Sequence, residues 1–177
     1  MIRIIGGKFK GKGIDVPKKG ARPTVSALRE SLFNICQQQI DGATFLDLFA
    51  GAGAIGIEAL SRGAKHVTFV ENDRRSAHTI EKNLAALGVE EGTSIYSTDV
   101  FKALPLLKKP FTIIFADPPY DLGIGDRLLA YFDEDPTLLA GDLFLEESQI
   151  KYKPKHLIVK SERKVGRSIL LQLCKGT

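Results

Sequence analysis

The stretch Thr44-Phe45-Leu46-Asp47-Leu48-Phe49-Ala50-Gly51-Ala52-Gly53-Ala54-Ile55-Gly56 decides the fold. It opens as an apolar run of strand length, breaks at small residues, and continues to Arg62 before Gly63 interrupts it. A buried strand, a Gly-x-Gly-x-x-Gly turn and a helix, in that order, form the first half of a β-α-β unit. The glycines let the chain turn tightly, bring backbone close to a ligand, and allow the helix to pack on the strand. Glu71 stands 20 residues beyond Gly51, at the end of the next apolar run, His66 to Val70. A carboxylate there can accept both hydroxyls of a ribose, so turn and acid together predict an adenosine-bearing cofactor.

Working outward, the alternation continues. Thr44 to Phe49 is the first core strand and Ala54 to Arg62 its helix; His66 to Val70 is the second strand. Asp73 to Leu87 forms a helix with Ala77, Ile80, Leu84 and Leu87 on one face, closed by Gly88. Thr93 to Ser97, Phe111 to Ala116 and Asp142 to Glu146 are further strands, separated by the Pro-interrupted helical segment Val100 to Leu107 and a helix over Gly125 to Phe132. Lys155 to Lys160 and Ser168 to Leu173 are joined too closely for a crossover helix, so they pair antiparallel. This is an α/β pattern: a Rossmann-like, mostly parallel sheet covered on both faces and ending in an antiparallel hairpin. Ligands of such sheets bind beyond the carboxyl ends of the strands.

Upstream, Arg3 to Gly7 and Gly13 to Val16 read as two short strands, a hairpin-like arm that must rest on the main body to be ordered. Residues 1–22 are expected to form this basic arm and residues 23–177 a single globular domain. Thr24 after Arg22-Pro23 is a good N-cap. The helix that follows turns Val25, Leu28, Leu32, Ile35, Cys36 and Ile40 inward, leaves Arg29, Glu30 and Asn34 facing elsewhere, and ends at Asp41-Gly42.

The chain has 177 residues, 44% hydrophobic and 26% charged, which is ordinary for one soluble domain. It contains no apolar run of membrane-span length, and its first residues lack the features of a signal peptide, so a cytoplasmic location is expected. Cys36 and Cys174 form no CxxC and are expected as reduced thiols, with no metal site. The net charge is +4, but it is segregated. Residues 1–22 carry seven basic groups against Asp15, residues 151–167 carry seven against Glu162, and residues 23–150 carry a net of −9. Basic ends around an acidic middle favour a polyanionic partner, although solvated faces are the commoner fate of such runs.

Two further acids narrow the cofactor. Asp47 sits inside the first core strand, an odd companion for a pyrophosphate but a useful one for an ammonium group. Asp99, after the third strand, is placed to hold an adenine amino group, or to cap the helix that follows. Together with the ribose acid they describe S-adenosylmethionine. Asp117-Pro118-Pro119-Tyr120 then follows the fourth strand. Its prolines fix φ and donate no backbone N–H, which makes a rigid cluster of acceptors beside an aromatic ring. Such a cluster grips the amino group of a planar base, with Tyr120 stacking on it; its plain alternative is a proline turn with an Asp cap.

These residues carry a resemblance. Leu46 to Gly53 with Glu71, Asp99 and Asp117 to Tyr120 resembles the class I S-adenosylmethionine-dependent methyltransferases that modify exocyclic amines. Arg3-Ile4-Ile5-Gly6-Gly7-Lys8, Arg22-Pro23-Thr24, Arg29-Glu30-Ser31-Leu32-Phe33-Asn34 and Glu58-Ala59-Leu60-Ser61-Arg62-Gly63 resemble more narrowly the RsmD family of bacterial 16S rRNA guanine-N2 methyltransferases. The resemblance implies a seven-stranded class I fold and S-adenosyl-L-methionine bound by Asp47, Phe49, Ala50, Gly51, Gly53, Glu71, Asn72, Asp99, Val100 and Asp117. It implies transfer at Asp117, Pro118, Pro119 and Tyr120 to a guanine of small-subunit rRNA, free or in an assembling 30S particle, by a monomer. Arg3, Lys8, Lys10, Lys12, Arg22 and Arg29 are the expected RNA contacts. Competing readings are an adenine-N6 methyltransferase on DNA or RNA, an NAD-dependent oxidoreductase, and a catalytically silent RNA-binding module.

Overall fold

A computed structural model of the chain describes residues 1–17, 24–120 and 122–177. The expected contact Arg22 and the loop before Pro23 lie outside the described residues, as does the capping side chain of Thr24. The elements run β1 (Ile2–Arg3), β2 (Gly13–Ile14), α1 (Thr24–Cys36), β3 (Thr44–Leu48), α2 (Ala54–Ser61), β4 (His66–Val70), α3 (Arg74–Ala86), β5 (Thr93–Tyr96) and α4 (Val100–Ala103), which tightens into a 3-10 turn at Leu104–Leu106. Then come β6 (Phe111–Ala116), α5 (Ile124–Glu134), β7 (Leu139–Glu147), β8 (Leu157–Val165) and β9 (Ser168–Lys175).

Seven strands form one sheet in the order β5-β4-β3-β6-β7-β9-β8, and β1 pairs antiparallel with β2 apart from it. From β5 to β7 all neighbours are parallel, while β9 is antiparallel to both β7 and β8. The chain builds outward from β3 to β5, returns to β6 on the other side of β3, and builds outward again. The order therefore reverses between β3 and β6, where such sheets open a ligand crevice.

Side-chain alternation sorts the core into two layers. Phe45, Val67, Phe69, Ile113 and Phe115 face a cluster with α1, α2, α3 and the arm's Ile4 and Ile14. Leu46, Leu48, Val70, Ile114 and Ala116 face the other, with α4 and α5. This is the period of two expected of strands covered on both faces. Asp47 falls on the Phe45 side, under α2, and is 1% exposed.

Helix α1 corrects the sequence reading in two ways. It ends at Cys36, with the Cys36 carbonyl accepting the N–H groups of Gln39 and Ile40 in a final turn. Arg29, expected to face away, is 2% exposed. Among the described residues no helix is long and apolar enough to cross a membrane.

Candidate active site

The glycine turn is held open by conformation and by its neighbours. Gly51 (φ +58°) and Gly53 (φ +88°) occupy the left-handed region, which costs glycine little. Phe49 is there too, at φ +60°, a strained conformation for a bulky residue of the kind found at ligand sites. The third glycine serves packing: a Cβ on Gly56 would lie 2.3 Å from the Phe69 ring on β4. A Cβ on Gly51, by contrast, meets nothing within 4 Å, so this part of the turn faces open space.

The acids around the turn divide by burial. Half-buried Glu71 accepts the Gly51 N–H through Oε1 (2.9 Å) and the Asp73 N–H through Oε2 (2.7 Å), tying β4 to the turn and to the start of α3. Asp47 Oδ2 accepts the Gly56 N–H at 3.0 Å. Burial pushes its carboxyl up to about 8, which the Gly56 hydrogen bond only partly offsets. The structure thus places Asp47 behind the turn, positioning it, and not on its surface where an ammonium group would sit. Asp99 caps α4 through the Phe101 N–H (2.9 Å), the plain role weighed for it, and remains half-exposed beside buried Val100. Ala50 is half-buried in the turn, and Asn72 is exposed beyond Glu71.

The second half of the site begins where β6 ends. Leu48 of β3 pairs with Ala116 of β6, so the Phe49 to Gly53 turn and Asp117 to Tyr120 leave adjacent strands at the same level. Asp117 is half-buried, Pro118 buried and Pro119 exposed. The Tyr120 hydroxyl donates to Oε1 of Glu146 on β7. Burial and that carboxylate hold the phenol up at about 12, so it is a neutral ring pinned at its tip. Glu146, 3% exposed, was missed in the sequence. Its signal is an acid directly after the apolar run Leu143 to Leu145, at the end of a buried strand where an unpartnered carboxylate is costly. Beside it, Gly123, Asp126, Glu147, Ser148, Gln149 and Lys151 line a cleft of about 200 Å³.

The motifs expected to meet RNA behave differently. Buried Glu58 in α2 accepts the N–H groups of Ile5 (2.9 Å) and Gly6 (3.0 Å), and pairs with Arg62 (2.8 Å) and Arg29 (3.5 Å). Arg29 also donates to the Arg3 carbonyl (3.2 Å), and its burial lowers the guanidinium pKa. The Ser61 hydroxyl donates to the Gly6 carbonyl and accepts the Phe9 N–H (2.9 Å), while the Lys8 N–H reaches the Ser61 carbonyl (2.8 Å). The arm does rest on the main body. Arg29 belongs to this anchor and, buried, does not present its guanidinium to RNA. Arg3 donates to the Gly11 carbonyl (2.8 Å). Lys8, Lys10 and Lys12 are exposed. Their turn lies at the C-terminal end of α2, the end away from the glycine turn.

At the other end of the chain, Asp133 on α5 accepts the N–H groups of Lys155, His156 and Leu157 and the Tyr152 hydroxyl, all within 2.7 to 2.8 Å. Burial alone would raise its pKa, but these donors hold it well below the usual carboxylate range. Asp126 accepts the N–H groups of Lys151 and Tyr152. The segment between β7 and β8 is thereby fastened along α5.

The family described as Conserved hypothetical protein 95 matches residues 2–173. Ribosomal RNA small subunit methyltransferase D of Escherichia coli K12 is 36% identical over 151 residues, 85% of this chain and 76% of the relative. The protein of the same name from Haemophilus influenzae is 35% identical over 161 residues, covering 86% and 81%. Among solved structures, the candidate methyltransferase yhhF from Escherichia coli superposes with a TM-score of 0.89 at 32% identity, covering 99% of this chain and 98% of that one.

Proposed function

As the chain belongs to the RsmD family, matched here as Conserved hypothetical protein 95, we propose that it is an rRNA methyltransferase that uses S-adenosyl-L-methionine to methylate the exocyclic N2 of a guanine in small-subunit rRNA. One observation carries this reading: an adenosine-type glycine turn with its acid and an acceptor-rich Asp-Pro-Pro-Tyr turn leave neighbouring parallel strands, β3 and β6, at one level. The relatives named for small-subunit rRNA support the substrate class. The choice of guanine N2 rests on the family resemblance.

The residues present fit the cofactor. Space beside Gly51 is open, Glu71 is half-exposed at the turn, and Asp99 follows β5 at the same edge of the sheet. Gly51, Gly53, Glu71 and Asp99 would hold it, with Phe49, Ala50, Asn72 and the Val100 backbone completing the surface. Bound there, S-adenosyl-L-methionine supplies an electrophilic methyl group on a sulfonium.

The chain's own contribution is positional. An exocyclic amine is a weak nucleophile because its lone pair is delocalised into the base. Asp117 and the Pro118 carbonyl each accept one of its N–H groups, which orients the nitrogen and makes the lone pair more available. Pro118 donates nothing that could compete for those acceptors. Tyr120, pinned by Glu146, offers its ring to a base drawn out of its stack. Asp117 or solvent takes the proton released after transfer.

The test is transfer of labelled methyl to small-subunit rRNA or 30S particles, followed by mass spectrometry of the digested nucleosides. N2-methylguanosine is expected, whereas N6-methyladenosine would favour the adenine enzyme. Asp117→Ala should lower kcat about 10²- to 10³-fold, the scale of losing one transition-state hydrogen-bond partner, with RNA binding kept. A variant that retains full activity removes Asp117 from the mechanism.

A further inference from the structure

The basic C-terminal run is split by the fold. Lys160 sits at an irregularity in the β8–β9 ladder, between Val159 and Ser161, and its ammonium is bound 3.1 Å from both oxygens of buried Asp142. Lys151, Lys153 and Lys155 are exposed along the segment fastened to α5. Arg163, Lys164 and Arg167 gather at the β8–β9 turn, exposed and close in sequence, with exposed Glu162 the acid beside them.

The strand register places that turn. Ala116, the last residue of β6, pairs with Leu145, which pairs with Leu171, which pairs with Glu162. One step further, Glu146 is level with Leu170 and Arg163; one more, Glu147 is level with Ile169 and Lys164. The turn therefore projects past the carboxyl edge of the sheet at the level of Asp117 and beyond. Three strand spacings of about 4.8 Å separate β8 from β6, so the turn stands roughly 14 Å to the side of the amine-gripping acceptors, a span of a few nucleotides.

Edge protection is the ordinary use of charges on a terminal strand. It does not account for this placement. The apolar residues that β8 exposes are Ile158 (48%) and Val159 (46%), near its start, whereas the unpaired cations gather at its far end. Glu146 and Glu147, each 3% exposed, lie inward and leave the turn's outer face positive.

We propose that Arg163, Lys164 and Arg167 form a phosphate-binding clamp that holds the RNA strand flanking the target nucleotide against the Tyr120 side of the site. The inference rests on the rRNA-methyltransferase reading and assigns its substrate contact to the carboxyl edge of the sheet. The arm's lysines, near the amino edge, are at most outlying contacts.

The experiment compares the full chain with Arg163→Gln/Lys164→Gln/Arg167→Gln. It measures binding of a small-subunit rRNA transcript against salt, kcat and KM for methyl transfer, S-adenosylhomocysteine affinity and thermal midpoint. Each lost phosphate contact should reduce the slope of log affinity against log salt by about 0.7 to 0.9, so the triple variant should lose about 2 to 3. KM for RNA should rise at least tenfold, with kcat at saturating RNA and S-adenosylhomocysteine affinity within a few-fold. The charge-keeping variant Arg163→Lys/Lys164→Arg/Arg167→Lys should restore the slope, which separates charge from folding. An unchanged slope and KM in the Gln variant of an active enzyme overturns the clamp alone. A wild-type chain that binds S-adenosylhomocysteine yet labels no rRNA overturns the reading beneath it as well.

Discussion

Two buried carboxylates in contact with α2 show how one helix serves two regions. Asp47, 1% exposed, meets the start of α2 and takes the Gly56 N–H. Glu58, 0% exposed, takes two backbone N–H groups from the arm and two guanidinium groups. Equal burial thus produces opposite regions. Around Glu58 every partner comes from the protein itself, and the result is an anchor. Around Asp47 the backbone is strained at Phe49 and bent through two left-handed glycines, and the surface above it is open. A saturated polar group holds structure, whereas a ligand site keeps part of its bonding capacity for what binds.

The anchor should be the more fragile to mutation. Glu58→Ala leaves Arg29 buried without its carboxylate and strips acceptors from Ile5 and Gly6, so a loss of about 3 to 5 kcal/mol is expected, the usual consequence of breaking a buried pair. Urea unfolding measures it, and limited proteolysis should find new cuts within residues 1–17. A loss below about 1 kcal/mol would mean that the arm is held by its apolar residues, Ile4 and Ile14, and the contrast with Asp47 would collapse.

A smaller effect separates the two functions inside the glycine turn. Gly56→Ala forces a methyl to within 2.3 Å of the Phe69 ring, which is 0% exposed and cannot move aside, so about 1 to 3 kcal/mol of overpacking strain is expected. Gly51→Ala meets no atom within 4 Å and has only its φ of +58° to oppose it. It should cost less stability than Gly56→Ala while weakening S-adenosylhomocysteine binding. Thermal melts and calorimetric titration of both variants check the order, and equal stability losses would show that Gly51 too is a packing residue.

The same contrast explains what could be seen in the sequence. The alternation of strands and helices, the glycine turn and the Asp-Pro-Pro-Tyr position were legible because strand alternation, small-residue turns and helix breaks are local signals. Arg29 was not, since a charged residue one step off a helix's apolar stripe looks solvated until its partner, 29 residues away, is brought beside it. Asp47 was legible as an anomaly, and its direction depended on which helix covered that face. The Glu146–Tyr120 bond joins a strand residue to one in the turn after another strand, 26 positions apart, and the clamp emerges only when four strands are laid in register. Among the described residues, the narrow family motifs around Gly6, Arg29 and Glu58 secure the arm, so the specificity of a motif and its nearness to chemistry are separate properties.

Asp47 offers the finest test of the comparison, through pH. Its folded pKa of about 8 lies above the ordinary 3.8, because burial penalises the charged form more than the Gly56 N–H favours it. Between these values the folded chain keeps a proton that the unfolded chain has released. Its stabilising contribution is therefore fully present below about pH 4 and is lost as pH rises through about 8, at no more than about 1.4 kcal/mol per pH unit. Asp133, shifted the other way, acts only at the acidic end and leaves this window alone. Asp47→Asn keeps an acceptor for Gly56 and has no proton to lose. Urea unfolding at pH 6 and pH 7 should show the wild type losing more stability than the variant over that unit. Parallel slopes would place a charged Asp47 in the folded protein at neutral pH, and the site end of α2 would then need a counter-charge like the one that the Glu58 end already has.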